Sequence, residues 1–292
     1  MLNNVVSKAY LKIILALLMW STWGIVIKIM VMPPWQVIFF SSLFSLPVLF
    51  LVARFHPSAA QHLIPDLREN FWQILLLAIC LLLNLYFYFL ALRHTTIANA
   101  VFSHYTAPIF VALLAPLILH EKFDRWTGIA LPVSLGGLFL MLFPHLQLLL
   151  DKQATGGIAF GIISGLAYAI TLIIAKGLTW GLPPISIAFW QGIFIVVILA
   201  PIVVVQPLSA PPMDWMILVL LGFIHCSLAP LMYVSGLTTV MAQHVAIIGY
   251  LEPVSTVMMG MMFLRDIPSL ITAFGGVLIF AAGFLVIWQG RT

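Results

Sequence analysis

Charge is what this chain has least of. Asp, Glu, Lys and Arg supply 7% of its 292 residues, against roughly 25% in an ordinary soluble domain. With 63% apolar residues and a mean hydropathy of +1.18, a soluble fold is excluded and the chain reads as an integral membrane protein. Cysteine is almost as scarce. Cys80 and Cys226 each lie inside an apolar run with no Cys or His at metal-ligand spacing, which excludes a disulfide framework or a zinc site and leaves two small buried side chains. No Walker phosphate loop, zinc-protease helix motif or serine-nucleophile elbow occurs, so ATP hydrolysis within the chain is not expected and no cofactor is implied. The net charge of +4 does not argue for a nucleic-acid partner, because a basic excess confined to short loops is what membrane orientation requires.

What is present is a succession of apolar runs, each about the 20 residues a helix needs to cross a hydrocarbon core of roughly 30 Å. Ten are predicted, near 10–30, 35–54, 72–92, 97–119, 127–144, 156–178, 184–204, 214–236, 241–263 and 269–288. Turn chemistry separates them, as at Pro33-Pro34, Pro183-Pro184 and between Pro207 and Pro212. The gaps at 93–96 and 237–240 are so short that their flanking helices must form tight hairpins. The longest stretch outside the runs, 55–71, is too short for a domain of its own. The run after Lys8 and Lys12 continues to Met30 without a cleavage pattern and is read as a retained helix rather than a signal peptide. Placing both termini in the cytoplasm puts Lys8, Lys12, Arg54, Arg68, Lys122, Arg125, Lys176 and Arg291 inside, against Lys28, Arg93, Lys152 and Arg265 outside, which the positive-inside rule favours.

The chain is written twice. TIANAVFSHYTAPIFVALLAPLILHE at 96–121 returns 145 positions later as MAQHVAIIGYLEPVSTVMMGMMFLRD, so that Tyr105 matches Tyr250, Pro108 matches Pro253 and Glu121 matches Asp266. WSTWGIVIK from Trp20 to Lys28 matches YAITLIIAK from Tyr168 to Lys176, and PPWQVIFFS matches PPISIAFWQ, setting Ser41 against Gln191. With five helices in each half, 1–150 and 151–292, the second half enters the bilayer the other way up. Inverted repeats of this kind are a recurrent plan of secondary transporters. The predicted fold is therefore all-α and integral to the membrane, ten transmembrane helices arranged as two inverted five-helix repeats around a central cavity.

These features together resemble the EamA-type branch of the drug/metabolite transporter superfamily: the ten runs in two halves, the Trp20 to Lys28 pattern, the proline segments ending HEKF and LRD, and the glycine-spaced last run of each half. The likeness covers nearly the whole chain and identifies the superfamily better than the solute. It implies a cavity lined by the first four and the sixth to ninth helices, with the fifth and tenth outside. Asp266 where the family usually has Glu, and Tyr168 where Trp is common, are departures.

Glu252 is the sharpest candidate for chemistry. An acid at a helix centre costs about 2.5–3.5 kcal/mol on insertion and usually faces a cavity or a partner. It reads either as a cavity group that binds a substrate ammonium or a proton, or as a brace for the kink at Pro253. His244 and Ser255 share its helical stripe, and Asn99, Ser103 and Ala107 form the matching stripe of the first half. For His244 and Asn99, satisfaction by interfacial water is the alternative. His104 and Tyr105 adjoin the first stripe and Tyr250 repeats Tyr105; His104 is a candidate binder or proton carrier, or a satisfied structural histidine. Trp20, Tyr86, Tyr168 and Trp190 are candidates for the cavity wall, where an aromatic face can attract an ammonium, and Gln191 for a polar contact or an interhelical bond. Gly157, Gly161 and Gly165, four apart, read as a smooth packing ridge, not a ligand site.

The function expected is secondary transport of small organic metabolites, amino acids in particular, outward across the inner membrane by alternating access, with protons as a candidate coupling ion. Transport of another amphiphilic metabolite or drug is the alternative, and an intramembrane enzyme acting on lipid a more distant one. Apart from the solute and the bilayer no partner is implied; oligomeric state is not legible.

Overall fold

The computed structural model describes residues 2–22, 30–55, 57–145, 152–205, 210–264 and 268–290. Thirteen α-helices run through them: α1 Leu2–Ser21, α2 Pro34–Phe55, α3 Pro57–His94, α4 Ile97–His104, α5 Ala107–Ile118, α6 Arg125–Leu142, α7 Lys152–Leu178, α8 Pro184–Val204, α9 Pro212–Phe223, α10 Ala229–Leu237, α11 Ala242–Ile248, α12 Leu251–Leu264 and α13 Leu270–Gln289. Apolar runs in hydrocarbon have no water to satisfy their amides, so each closes its hydrogen bonds internally as helix. Among the described residues eight continuous or nearly continuous helices are long and apolar enough to cross a membrane. Two further predicted runs correspond to α1 and to the broken pair α11–α12. The predicted hairpins are present, with only Thr95 and Thr96 between α3 and α4, and 238–241 between α10 and α11. Lys28, Arg265, Asp266 and Arg291 lie outside the described residues.

The stretch 55–71 outside the predicted runs is mostly helical. Non-helical backbone at Asn70 (φ −122°, ψ 22°) separates it from the membrane part of α3. Its Asp66 carboxylate accepts from Ser186 Oγ at 2.5 Å and its Leu63 carbonyl accepts from Trp190 Nε1 at 2.8 Å, tying it to α8.

The glycine ridge of α7 packs as read from the sequence. A side chain at Gly157 would run into Thr95, one at Gly161 into Ser103, and one at Gly165 into the carbonyl of His104. Thr95, Ser103 and the backbone of 104–107 are what this ridge receives.

α6 and α13, the fifth and tenth predicted spans, pack on each other most closely at Gly137 and Gly275. A Cβ on Gly137 would stand 2.7 Å from the Gly275 carbonyl oxygen and 3.0 Å from Ile279 and Leu278, whereas one on neighbouring Gly136 would meet nothing within 4 Å. Forcing atoms into a packed interface costs typically 1–3 kcal/mol. Gly137→Ala is therefore expected to lower the thermal midpoint in detergent, while Gly136→Ala leaves it unchanged or raises it. Equal midpoints for the two variants would refute close α6–α13 packing.

Both predicted helices that carry the paired prolines are discontinuous at the same place in the repeat. α4 gives way to α5 at Tyr105–Thr106, and α11 gives way to α12 at Gly249–Tyr250. Pro108 and Pro253 cause this, because neither can donate to the carbonyl one turn earlier. The Gly249 carbonyl, left free by Pro253, accepts instead from Glu252 N at 3.0 Å; at the first break Ile109 N closes a tighter turn on the Thr106 carbonyl at 2.9 Å. Tyr105 and Tyr250, equivalent in sequence, touch: their rings stack at 5.8 Å and 29°, and Tyr250 Oη donates to the Tyr105 carbonyl at 2.8 Å. Equivalent positions of a repeat meet only near the axis that relates them, so the two breaks lie at the middle of the bundle. Pro116 bends nothing comparable and lies within α5. Pro230 follows a π-turn, Ile224–Leu228. There the His225 carbonyl, which Pro230 cannot serve, takes Trp20 Nε1 at 3.1 Å.

Candidate solute-binding site

Around the two breaks the helices turn aromatic and polar groups toward one another. His104, the last residue of α4, is the hub. Its ring lies 4.8 Å from Tyr88 of α3, 5.2 Å from Tyr105 and 5.8 Å from Tyr168 of α7. Tyr168 Oη is 3.2 Å from Tyr233 Oη of α10, and the Tyr233 ring packs on Trp20 of α1 at 5.0 Å. Five helices of both halves thus contribute one continuous aromatic wall.

Ser164 orients the hub. Its single hydroxyl proton goes to the Asn84 carbonyl at 2.9 Å, and its oxygen accepts from Asn84 Nδ2 at 3.0 Å. The contact at 2.9 Å with His104 Nδ1 is therefore one in which the ring nitrogen donates. That places the proton on Nδ1 and leaves Nε2 as an acceptor in the neutral ring. Asn84 and Tyr88, like Ser164 and Tyr168, are four apart and share a helical face.

Glu252 stands in the first turn of α12. Its carboxyl lies within electrostatic reach of Tyr105, Tyr88, Tyr168 and Tyr233. Glu252, Tyr88, His104, Tyr105 and Tyr168 are all half-buried and keep part of their surface accessible. A negative charge at a helix N-terminus is favourable. No Lys or Arg pairs with it among the described residues, where the one ion pair joins His244 and Asp124.

Of the residues singled out from sequence, Trp20, His104, Tyr105, Tyr168, Tyr250 and Glu252 come together here. Others go elsewhere. Tyr86 is exposed on the outer surface against Trp35, at 5.9 Å, and Tyr88, one helical half-turn away, faces inward in its place. Asn99 and Ser103 are buried in the α4–α7 contact: Asn99 Nδ2 donates to Thr95 Oγ1 at 3.0 Å and Ser103 Oγ to the Asn99 carbonyl at 2.7 Å. His244 is at the end of the bundle that carries the N-terminus, where Tyr10 Oη meets its Nδ1 at 2.7 Å and Asp124 lies 3.5 Å from its Nε2. Trp190 belongs to the same end through Leu63, and Gln191 beside it is half-buried on α8. Tyr88, Tyr233 and Ser164 were not singled out as binders. The four-residue spacings to Asn84 and Tyr168 were the available signal for Tyr88 and Ser164.

Two grooves lie away from this cluster. One of about 380 Å³ runs between α1 and α9 and is apolar apart from Thr22 and His225, which are themselves 2.9 Å apart. The other, about 220 Å³, lies between α12 and α13. Neither contains an acid or a tyrosine.

Comparison with known proteins agrees with this architecture. An uncharacterized transporter from Archaeoglobus fulgidus is 29% identical over 203 residues, 69% of this chain and 71% of the relative. An uncharacterized transporter from Bacillus subtilis is 24% identical over 98% of this chain and 92% of its own length. A solved crystal structure, 18% identical, superposes with a TM-score of 0.82 and covers 98% of both chains, which shows a shared fold. The sequence profile of the EamA-like transporter family matches twice, over 7–143 and over 155–288. The protein is a multi-pass membrane transporter, and it belongs to the EamA-like transporter family.

Proposed function

We propose that the protein is a secondary transporter that moves small organic metabolites bearing an ammonium group, amino acids among them, out of the cell across the inner membrane by alternating access. The observation that carries this is Glu252: a carboxyl without a cationic partner among the described residues, at the break of a membrane helix and beside the axis relating the halves. A group so placed meets a solute from either side as 1–150 and 151–292 rock about the breaks. The distribution of Lys and Arg supports cytoplasmic termini. Protons are the coupling ion on this reading, carried by Glu252 or His104 while no solute is bound. The lipid-acting enzyme finds little support, since among the described residues no second acid stands beside Glu252 to complete a catalytic pair.

Transport into proteoliposomes, with a panel of amino acids and amines, tests the reading. Removing a charged hydrogen-bonding partner costs about 1.5–3 kcal/mol, so Glu252→Gln is expected to slow uptake about tenfold or more for every solute the wild type moves. Tyr86→Phe, on the outer surface, should match the wild type. Wild-type liposomes that move none of the panel, or a Glu252→Gln protein that moves it equally well, would overturn the proposal.

A further inference from the structure

Broken membrane helices commonly aim half-helix N-termini at the anionic group of a solute. Here both such termini are depleted of donors. Behind the first break, Pro108 has no N–H and Ile109 N is spent on the Thr106 carbonyl. Behind the second, Pro253 has no N–H and Glu252 N is spent on Gly249. Glu252 itself stands in the first turn of α12, the end toward which a solute carboxylate would be drawn. The other groups clustered about Glu252 are the hydroxyls and rings of Tyr88, Tyr105, Tyr168 and Tyr233 and the ring of His104 packed among them. Aromatic faces attract cations, most of all substituted ammonium ions. Among the described basic side chains, Lys176 Nζ donates to the Leu237 and Val240 carbonyls, Lys12 Nζ to Ser235 Oγ, and Arg125 lies over Trp126, while Lys8, Arg54, Arg68, Arg93 and Lys122 are exposed.

We infer that the central site selects organic amine cations that lack a carboxylate over zwitterionic amino acids of the same side chain. This rests on the transport reading above and narrows its solute class. An ammonium exchanges its water for one carboxylate and several ring faces, whereas the carboxylate of a zwitterion gives up its water for no cation and meets Glu252 as a like charge. The discrimination is by repulsion as much as by attraction.

A matched pair of fixed-charge probes tests it, because a quaternary ammonium cannot leak through the bilayer as a free base. Uptake of phenethyltrimethylammonium and of N,N,N-trimethylphenylalanine, which differ only by the carboxylate, is measured in proteoliposomes of the full chain. The first is expected to enter, or to compete, at least about tenfold better, since each such unpaired charge costs more than 1.4 kcal/mol. Glu252→Gln should remove most of that preference, and Glu252→Asp, which keeps the charge, should retain it at lower affinity. Equal or better uptake of the carboxylate-bearing probe would overturn the inference. Phenylalanine uptake without uptake of phenethyltrimethylammonium would overturn it too while leaving transport intact, whereas failure of every solute would overturn the transport reading itself.

Discussion

Linking residues 12 and 235 by a short bifunctional thiol reagent, in a chain with Lys12→Cys and Ser235→Cys and with Cys80 and Cys226 replaced by alanine, is expected to reduce transport more than tenfold. Reductive cleavage of the linker should restore it. The expectation follows from how the end of the bundle that carries the N-terminus is closed. Lys12 Nζ of α1 reaches Ser235 Oγ of α10 at 2.7 Å, and Tyr10 Oη of α1 meets His244 of α11 at 2.7 Å. Gly290 at the end of α13 packs on Tyr10 as well. The first helix of one half is thus held to the eighth and ninth predicted spans of the other. If the halves rock, this face must open once per cycle, and a covalent bridge holds it shut. The native contacts contribute little hindrance: an exposed hydrogen bond is worth about 0.5–1.5 kcal/mol, which thermal motion overcomes readily. Undiminished flux in the linked protein would mean that this face need not open, and alternating access about the central breaks would fall.

The second large effect concerns stability. Lys176→Met is expected to destabilise the protein by about 2–4 kcal/mol, since each buried acceptor left without a donor costs about 1–3 kcal/mol. Lys176 is buried, and its Nζ donates to Leu237 O at 2.6 Å and to Val240 O at 2.9 Å. On the other side of the same turn both oxygens of Glu121 accept from Ala242 N at 3.0 Å. The hairpin between α10 and α11 is therefore gripped by a cation at the C-terminal end of one helix and an anion at the N-terminal end of the next, as the helix dipoles favour. Because the two grips hold one turn, Glu121→Gln and Lys176→Met should be less than additive when combined. Thermal unfolding in detergent checks both statements, with Lys12→Met as an exposed control expected to change the midpoint little. A Lys176→Met midpoint indistinguishable from that control would show that the grip is dispensable.

This grip also gives the repeated residues a structural meaning. Glu121 and Lys176 were notable in sequence because each has a counterpart in the other half. The contacts show them sharing one task, holding the turn before the ninth span. Glu252 differs, since its counterpart Ala107 is buried against the glycine ridge of α7.

Much of the fold follows from sequence alone. Scarcity of charge and runs of about 20 apolar residues dictate membrane helices, because only internally bonded backbone is tolerated in hydrocarbon. The 145-residue recurrence dictates a repeated architecture, and Pro108 and Pro253 dictate two breaks at matching places. The glycine ridge at 157, 161 and 165 dictates close approach of a neighbouring helix. Which face of each helix turns inward is another matter. In a soluble helix polar residues mark the solvent side, but lipid and protein interior are equally apolar, so that marking disappears. Tyr86 and Tyr88 are alike as sequence, and only packing sends one to the outer surface and the other to His104. Ser103 looks like a cavity group and proves to be a contact for α7, Asn99 is buried against Thr95, and His244 becomes part of the closed end. The partners of Glu252 come from α3, α4, α7 and α10, far apart along the chain, and no local pattern encodes their meeting. Sequence determined the helices, the repeat and the acid at the break; tertiary packing alone decided the aromatic wall around it, because within a membrane apolar periodicity no longer separates inside from outside.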